Sequence, residues 1–542
     1  MTLLTADLII RSGSVFTVNQ TDDMAQAVAV RGGRILAVGT DQEILAYQGP
    51  ETRIIHAEGA SVVPGFIDAH QHFLMYGLLD RGILNVAHPR ARSIIELQRL
   101  IREEAARKQP GEWIKLNGYD HNKLEEGRHP TREELDAAAP DHPVQLTRCC
   151  AHMGVYNSRA LEITGVGDGS AYAPDEVVRN EDGSLHGLLK ETAHMDTSMK
   201  VGFTPEELLD GLMNADRIMA ENGITSVHDA GSYNAQATAE IQEACRKGLI
   251  HTRIRPMIFD MFGKESGKAY IRSFIATGIH SGCGDDHFRV GPTKIMLDGS
   301  SSGPSCAVIE GYSHDPENHG IQVWQQDETD EIILEAHRAG FQVTAHAVGD
   351  KAVTIMLNAI EKAQRAFPRK DCRHRIEHCG ITNPALIERI AELGVVPVSN
   401  PSFITINGSD YNRYYGDRVN HLFAMESYRR RGILTAIGSD APITHPNPMN
   451  SFFGALNRRD IRTGDPVGLD QRIHVKDMVR MFTYNGAYAS FEEDRKGSLE
   501  PGKLADIVIL DRDLLRADPA HITDVKVRYT VIDGQIVYQA KT

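Results

Sequence analysis

The chain has 542 residues, room for one large catalytic domain and a smaller companion. Its net charge of −15 repels phosphate backbones and no basic block offsets it, which argues against nucleic acid as a partner. No apolar run approaches the ~20 residues that a bilayer span requires, and seven scattered cysteines without a CxxC pair fit a reducing cytoplasm rather than a disulfide framework.

In chain order, the first elements are strands. "ADLIIRSGSVFTV" and "QAVAVRGGRILAVG" alternate as strands do, with Gly32-Gly33 as a two-residue hairpin turn; no basic region followed by a long apolar core marks a secretion signal. The far end mirrors this: "KLADIVILD" and "VRYTVIDGQIVYQ" are strands, with Asp533-Gly534 at the turn. Residues 1–61 and 490–542 are therefore expected to form one small sheet domain built from both chain ends. Between them, helices that stop at Gly precede apolar strands. "TPEELLDGLMNADRIMAENG" opens on Thr204, Pro205 and Glu207, a capping box with proline at the first helical position, and Gly223 ends it. Eight strands are predicted, at 62–70, 223–230, 253–260, 289–298, 341–348, 373–379, 395–400 and 433–440. Strands alternating with helices predict a (β/α)8 TIM barrel over 62–489. A large insertion after the first strand, 75–203, carries strand-like pieces of its own ("EWIKLNGYD", "PVQLTRCCAHMGV") and is expected to fold as a cap.

Metal-capable side chains recur near strand C-terminal ends, where barrel active sites lie. His70 and His72 in "VVPGFIDAHQHF" are two residues apart and share a face of an extended chain. His346 ends "QVTAH", His378 ends "RHRIEH" and Asp440 ends "LTAIGSD". One such residue alone is more often structural; five suit a divalent cation, Zn²⁺ first, with Mn²⁺, Fe²⁺ or Ni²⁺ as substitutes.

"GPTKIMLDGSSSG" adds a lysine. Lys294, Met296 and Asp298 fall on one face of the strand and Ile295 and Leu297 on the other, which turns the lysine inward. A buried lysine can lose ~3–5 pKa units and become neutral. A neutral amine beside divalent cations can capture carbon dioxide, and the resulting carbamate can bridge two metals. The alternative is an ion pair with Asp298.

HxH at the first strand, Lys at the fourth, His at the fifth and sixth and Asp at the eighth resemble the metal-dependent amidohydrolase superfamily. "PGFIDAHQHF", "NGITSVHDAG", "AHAVGD", "RIEHCG", "GSDAP" and "GSLEPGKLADIVILD" are similar to its branch of N-substituted formamide deformylase and imidase-like proteins, over nearly the whole chain. One stretch departs: where that branch often carries Gly-His-Ala, this chain reads Ala151-His152-Met153-Gly154. The resemblance implies a distorted (β/α)8 TIM barrel with a composite β-sandwich from 1–61 and 490–542, and a hydrolase cleaving a non-peptide C–N bond (amide, N-formyl, imide or cyclic amide). It implies one or two divalent ions, His70, His72 and Asp440 on one and His346 and His378 on the other, bridged by N6-carboxylated Lys294. Asp440 is expected to shuttle the proton. A related lyase, decarboxylase or oxygenase on the same scaffold is the alternative reading. Phe73, Tyr119 and Trp324 are candidate pocket walls, and Asp298, Ser300 and Asn400 candidate substrate contacts. The expected partner is a small-molecule substrate, with no nucleic acid and no membrane; a homo-oligomer, most simply a dimer, in the cytoplasm completes the expectation.

Overall fold

The computed structural model describes residues 4–541 apart from 82, 150–152, 171, 174, 232–234 and 261–262. It divides into two compact units, Met1–Leu74 with Ala215–Thr542, and Met75–Asn214.

In the first unit, both chain ends build two sheets. One has four strands, in the order Arg34–Gly39, Ala27–Arg31, Leu8–Arg11, Arg53–His56. The other has six, in the order Gln535–Gln539, Val527–Ile532, Ile507–Leu510, Ser61–Pro64, Ser14–Phe16, Met24–Ala25. Leu8, Ile10, Val28 and Val30 from the first share a core with Val15, Val62, Ile507, Ile509 and Val531 from the second. The hairpin turns fall where the sequence places them. Gly32 and Gly33 have φ of 55° and 74°, Asp533 and Gly534 51° and 73°, the left-handed pair that matches strand twist in a two-residue turn.

All eight predicted inner strands are present: β1 (Phe66–Gln71), β2 (Ile224–Asp229), β3 (Arg253–Ile254), β4 (Thr293–Met296), β5 (Val343–Ala347), β6 (Arg375–His378), β7 (Val396–Ser399) and β8 (Ala436–Ile437). Each pairs in parallel with its sequence neighbour in the sheets β3-β2-β1 and β4-β5-β6-β7-β8. A parallel bridge, Ile258 to Thr293, joins the segment after β3 to β4. Beyond β8, Asp440 N donates to His70 O (2.7 Å) and His72 N to Ala441 O (2.8 Å), so the chain after β8 bonds back to β1.

All eight strands are shorter than expected, β3, β4 and β8 the most, each of these for a local reason. β3 stops at Ile254, and Pro256 two residues on has no N–H to offer a ladder. β4 begins only after Gly291 and Pro292; a Cβ at Gly291 would stand 2.6 Å from the Pro256 carbonyl oxygen. β8 ends before Gly438, whose backbone packs against β1 so closely that an added Cβ would lie 2.4 Å from that of His70.

Outside these strands, Ile295, Leu297, Val343, Ala345, Ala347 and Ile376 pack with helix residues such as Ile332, Val353, Ile360 and Ile390. Those helices start as their sequences dictate: Asn383 caps Pro384–Glu392 by accepting from Leu386 N, with proline in the first turn.

The second unit holds a six-stranded sheet ordered Val177–Arg179, Leu185–Lys190, Met153–Tyr156, Val144–Arg148, Ile114–Tyr119, Leu84–Asn85. Helix Ile94–Ala105, capped by Ser93, turns Ile94, Leu97, Leu100 and Ile101 onto Leu116, Val144 and Leu146. Ala151 and His152, in the stretch that departs from the resemblance, lie outside the described residues. No helix among the described residues is long and apolar enough to cross a membrane.

Candidate metal centre

Alternation along β1 turns Asp68, His70 and His72 to one side, while Ala69 packs outward with Val396 and Ala436. His70 Nε2 lies 3.4 Å and His72 Nε2 3.5 Å from Asp440 Oδ1. Asp440 reaches that position on a left-handed backbone, φ 57°. Its neighbour Ser439 donates through both N and Oγ to Asp68 (3.0 and 2.6 Å), which ties the loop after β8 to β1.

His378 breaks the strand's alternation. Regular geometry would put it on the face of Ile376, in the core against the helices. Instead φ is 67° at His378 and 45° at Cys379, and the ring lies 4.7 Å from that of His70 and 4.5 Å from that of His346, centroid to centroid. Left-handed backbone at a non-glycine residue costs about 1–3 kcal/mol. The following segment holds it, with Phe423 N donating to Gly380 O and Ile381 N to Val348 O, each 2.7 Å.

His70, His378 and Asp440 each bring a donor atom within 4.8 Å of the others, and all three are buried. Each clustered imidazole on β1, β5 and β6 has one nitrogen engaged by an oxygen acceptor. His70 Nδ1 meets Glu377 Oε2 (2.5 Å), His378 Nδ1 meets Asn400 Oδ1 (2.8 Å) and His346 Nε2 meets Gly299 O (3.0 Å). A carboxylate, an amide oxygen and a carbonyl can only accept, which assigns those nitrogens their protons. On His346 and His378 the other nitrogen then carries a bare lone pair, the arrangement of metal-ligating histidines. Burial and Lys294 oppose charge on His70, yet Asp440 and Glu377 raise its pKa, so its Nε2 holds a proton towards Asp440 that a bound cation would displace. Burial, reinforced by the neighbouring imidazoles and Lys294, pushes His346 down to about 4 and His378 well below the ordinary histidine range. Burial opposes charge on Asp440, yet hydrogen bonds from His70 and His72 outweigh it and hold the carboxyl ionised, well below the usual range. Neutral His346 and His378 beside an ionised carboxylate already hold the protonation states that a divalent cation requires. The residues fit such an ion.

A second buried group, His337, Cys372 and His374, behaves differently. His374 Nδ1 accepts from Val343 N, its Nε2–H donates to His337 Nδ1 (2.9 Å), and His337 Nε2–H donates to Phe367 O (2.7 Å). Every ring nitrogen is used, so no lone pair remains for a metal.

Lys294 is 4% exposed, whereas Met296, expected on the same inward face, is 43% exposed because β4 ends there. The ion pair with Asp298 does not form. Lys294 Nζ donates to Ala230 O (2.9 Å) and stands 5.0 Å from the centre of the Phe259 ring. Burial lowers its pKa, opposed by Glu377, Asp440 and Asp229. Asp298 instead accepts backbone N–H groups from Ala307 (3.0 Å), Val348 (3.0 Å) and Gly349 (2.8 Å), a clamp on the loops after β4 and β5. Burial raises its carboxyl to about 7 against those three bonds.

The remaining candidates disperse. Asn400, expected at substrate, is fully buried, spending Oδ1 on His378 and Nδ2 on Gly438 O (2.9 Å). Ser300 is exposed, its Oγ 3.1 Å from Ser302 Oγ. Phe73 is fully buried, its N–H donated to Asp229 Oδ1 (3.0 Å). Trp324 is buried but borders, with Lys294 and Phe259, a small cavity of about 70 Å³. Tyr119 lies in the core of the second unit, its hydroxyl 2.9 Å from His129 Nδ1. Sequence reasoning passed over Glu377, Arg375, Asp68 and Ser439. Counting by twos from Ile376, an outward residue, would have turned Arg375 and Glu377 inward.

The chain belongs to the amidohydrolase family, whose sequence profile matches residues 53–538. It is therefore an enzyme, one that acts on carbon–nitrogen bonds other than peptide bonds. It is 29% identical to N-substituted formamide deformylase of Arthrobacter pascens over 98% of both chains. It is 28% identical to the putative amidohydrolase YtcJ of Bacillus subtilis (strain 168), over 97% of this chain and 98% of that one. Among solved structures, an uncharacterized metal-dependent hydrolase from Pyrococcus horikoshii OT3 superposes with a TM-score of 0.78 at 24% identity, covering 95% of this chain and 99% of the other.

Proposed function

We propose that the protein is a metal-dependent hydrolase of small amide-type substrates, N-formyl amines, imides or cyclic amides, built on a distorted (β/α)8 barrel. The strand ends carry the site, the two terminal sheets form the β-sandwich, and residues 75–203 are the insertion. The observation behind this reading is the trio of histidines, His70, His346 and His378, each oriented through one ring nitrogen, that gathers with ionised Asp440. His70, His72 and Asp440 would hold one divalent ion, with His346 and His378 on a second and N6-carboxylated Lys294 between them; zinc suits this donor set. A carboxylated amine keeps one N–H, so the bond to Ala230 O survives the modification. A bound ion supplies Lewis acidity, lowering a water's pKa from 15.7 towards about 7 and polarising the scissile carbonyl.

The residues do the rest. Asp440, ionised and aimed by His70 and His72, takes a proton from the attacking water. It returns that proton to the departing nitrogen as the C–N bond breaks. Water is thereby added across that bond, giving a carboxylic acid and an amine. Burial of His70, His378 and Asp440 keeps bulk water from competing for that proton. Likeness to a formamide deformylase supports N-formyl amines as the first substrates to try.

The test is a panel of N-formyl amines, imides and lactams assayed for amine release, with metal content measured on the same preparation. Asp440→Ala should lower turnover at least ~10²–10⁴-fold, the usual worth of a general acid–base group. Near-normal hydrolysis by this variant would refute the assigned role.

A further inference from the structure

Glu377, on β6, reaches across to β1. It is fully buried, and each of its oxygens takes two bonds. Oε1 accepts from Thr344 Oγ1 (2.7 Å) and Arg375 Nε (2.9 Å). Oε2 accepts from Arg375 Nη2 (3.0 Å) and His70 Nδ1 (2.5 Å). Arg375 is anchored in turn: Nη2 donates to Ala69 O (2.7 Å) and Nη1 faces His228 Nδ1 at 2.8 Å. A guanidinium only donates, so His228 accepts at Nδ1. The string of bonds starts on β2 at His228, passes through Arg375 and Glu377 on β6 with Thr344 of β5 alongside, and ends on β1 at both Ala69 and His70. A carboxylate serving merely as counter-ion to Arg375 would need the two-pronged guanidinium contact alone. Here one oxygen is turned to a ring on a different strand.

We propose that Glu377 is the positioning residue for His70. By accepting Nδ1–H it fixes the tilt of the ring, so that Nε2 faces Asp440 and is the nitrogen left for a metal. Arg375, held by His228 and the Ala69 carbonyl, keeps the carboxylate from rotating away, and Thr344 fixes its other oxygen. Four strands thus set the direction of one ring nitrogen. The inference rests on the reading of His70 as a metal ligand.

The test measures zinc affinity of the full chain by competition with a chromogenic chelator, alongside melting temperature. The variants are His70→Ala, Glu377→Gln, Thr344→Val and Thr344→Ser. Outer partners of ligating histidines are typically worth about 10–100-fold in metal affinity. Glu377→Gln should weaken zinc binding by that factor. Because it also leaves buried Arg375 without its carboxylate, the chelated protein's melting temperature should fall as well, and affinity is compared at a temperature where both proteins are folded. Thr344→Val should weaken it a few-fold and Thr344→Ser, which keeps the hydroxyl, should not. Wild-type affinity in Glu377→Gln, with His70→Ala impaired, would overturn the role of Glu377 and leave the metal centre standing. Wild-type affinity in His70→Ala would overturn the metal centre and this inference together. Should Glu377→Gln fail to fold, the threonine pair decides: equal affinity in the valine and serine variants overturns the proposal, a deficit in valine alone supports it.

Discussion

Asn400 Oδ1 lies 2.8 Å from His378 Nδ1, joining the ends of β7 and β6, and both side chains are buried. The amide's other end donates to Gly438 O at 2.9 Å, beside the loop that carries Asp440. One asparagine therefore orients a histidine and braces the backbone before the carboxylate.

Removing it should show in metal binding before it shows in folding. Asn400→Ala leaves a buried Nδ1–H without an acceptor and frees the His378 ring to turn. Zinc affinity should fall about 10–100-fold, as for other outer partners of ligating histidines. Chelator competition measures this directly. Asn400→Asp restores an acceptor and should recover part of the loss.

Gly438 predicts a packing failure. A methyl at this position would meet the His70 Cβ at 2.4 Å and the His70 backbone N and O at 2.9 Å, none of which is the end of a flexible side chain. Gly438→Ala should push β8 and β1 apart at the cost of about 1–3 kcal/mol, the usual toll of overpacking. Thermal melts of the chelated protein should record a lower midpoint. An unchanged midpoint together with unchanged zinc affinity would contradict the close approach.

Acid should weaken the metal-free protein across the histidine range. Burial holds His228, His374 and His378 well below the normal range and His346 at about 4. These groups stay neutral in the fold, while the unfolded chain protonates them near pH 6.5. Between about 6.5 and 4 the unfolded state binds more protons, so stability falls as pH falls. Asp68, raised by burial to about 6, and Asp298, raised to about 7, act in the opposite sense, because the fold takes up their protons first. His129, lowered to about 4, and His186 and His337, also lowered by burial, add to the loss, while His70, His251 and Asp350, all raised, subtract from it. Seven lowered histidines against five raised groups leave a net loss. Urea midpoints of chelated protein should drop from pH 7 to pH 4.5, and zinc should oppose the drop, since ligation favours the same neutral rings.

Several features follow from local chemistry that a linear chain displays. Alternation in two-residue steps places His70, His72, His346 and Lys294 inward. Turn residues mark both terminal hairpins, and helix caps separate the eight strands. Each depends on neighbours within a few residues, so each can be read without knowing the fold.

Other features came from the tertiary structure. His378 lies on the outward parity of β6 and reaches the site through a left-handed backbone that neighbouring strands and loops hold in place. Lys294 donates to the carbonyl of Ala230, a residue 64 positions away, rather than to Asp298 in its own segment. Arg375 and Glu377 bond to residues up to 307 positions distant, and Asn400 is a brace for His378 rather than a surface contact. Hydrophobic periodicity reports which way a side chain points from its own strand. Which donors then meet depends on how strands far apart in sequence are bonded to one another, and that pairing sets the distances between the side chains at their ends.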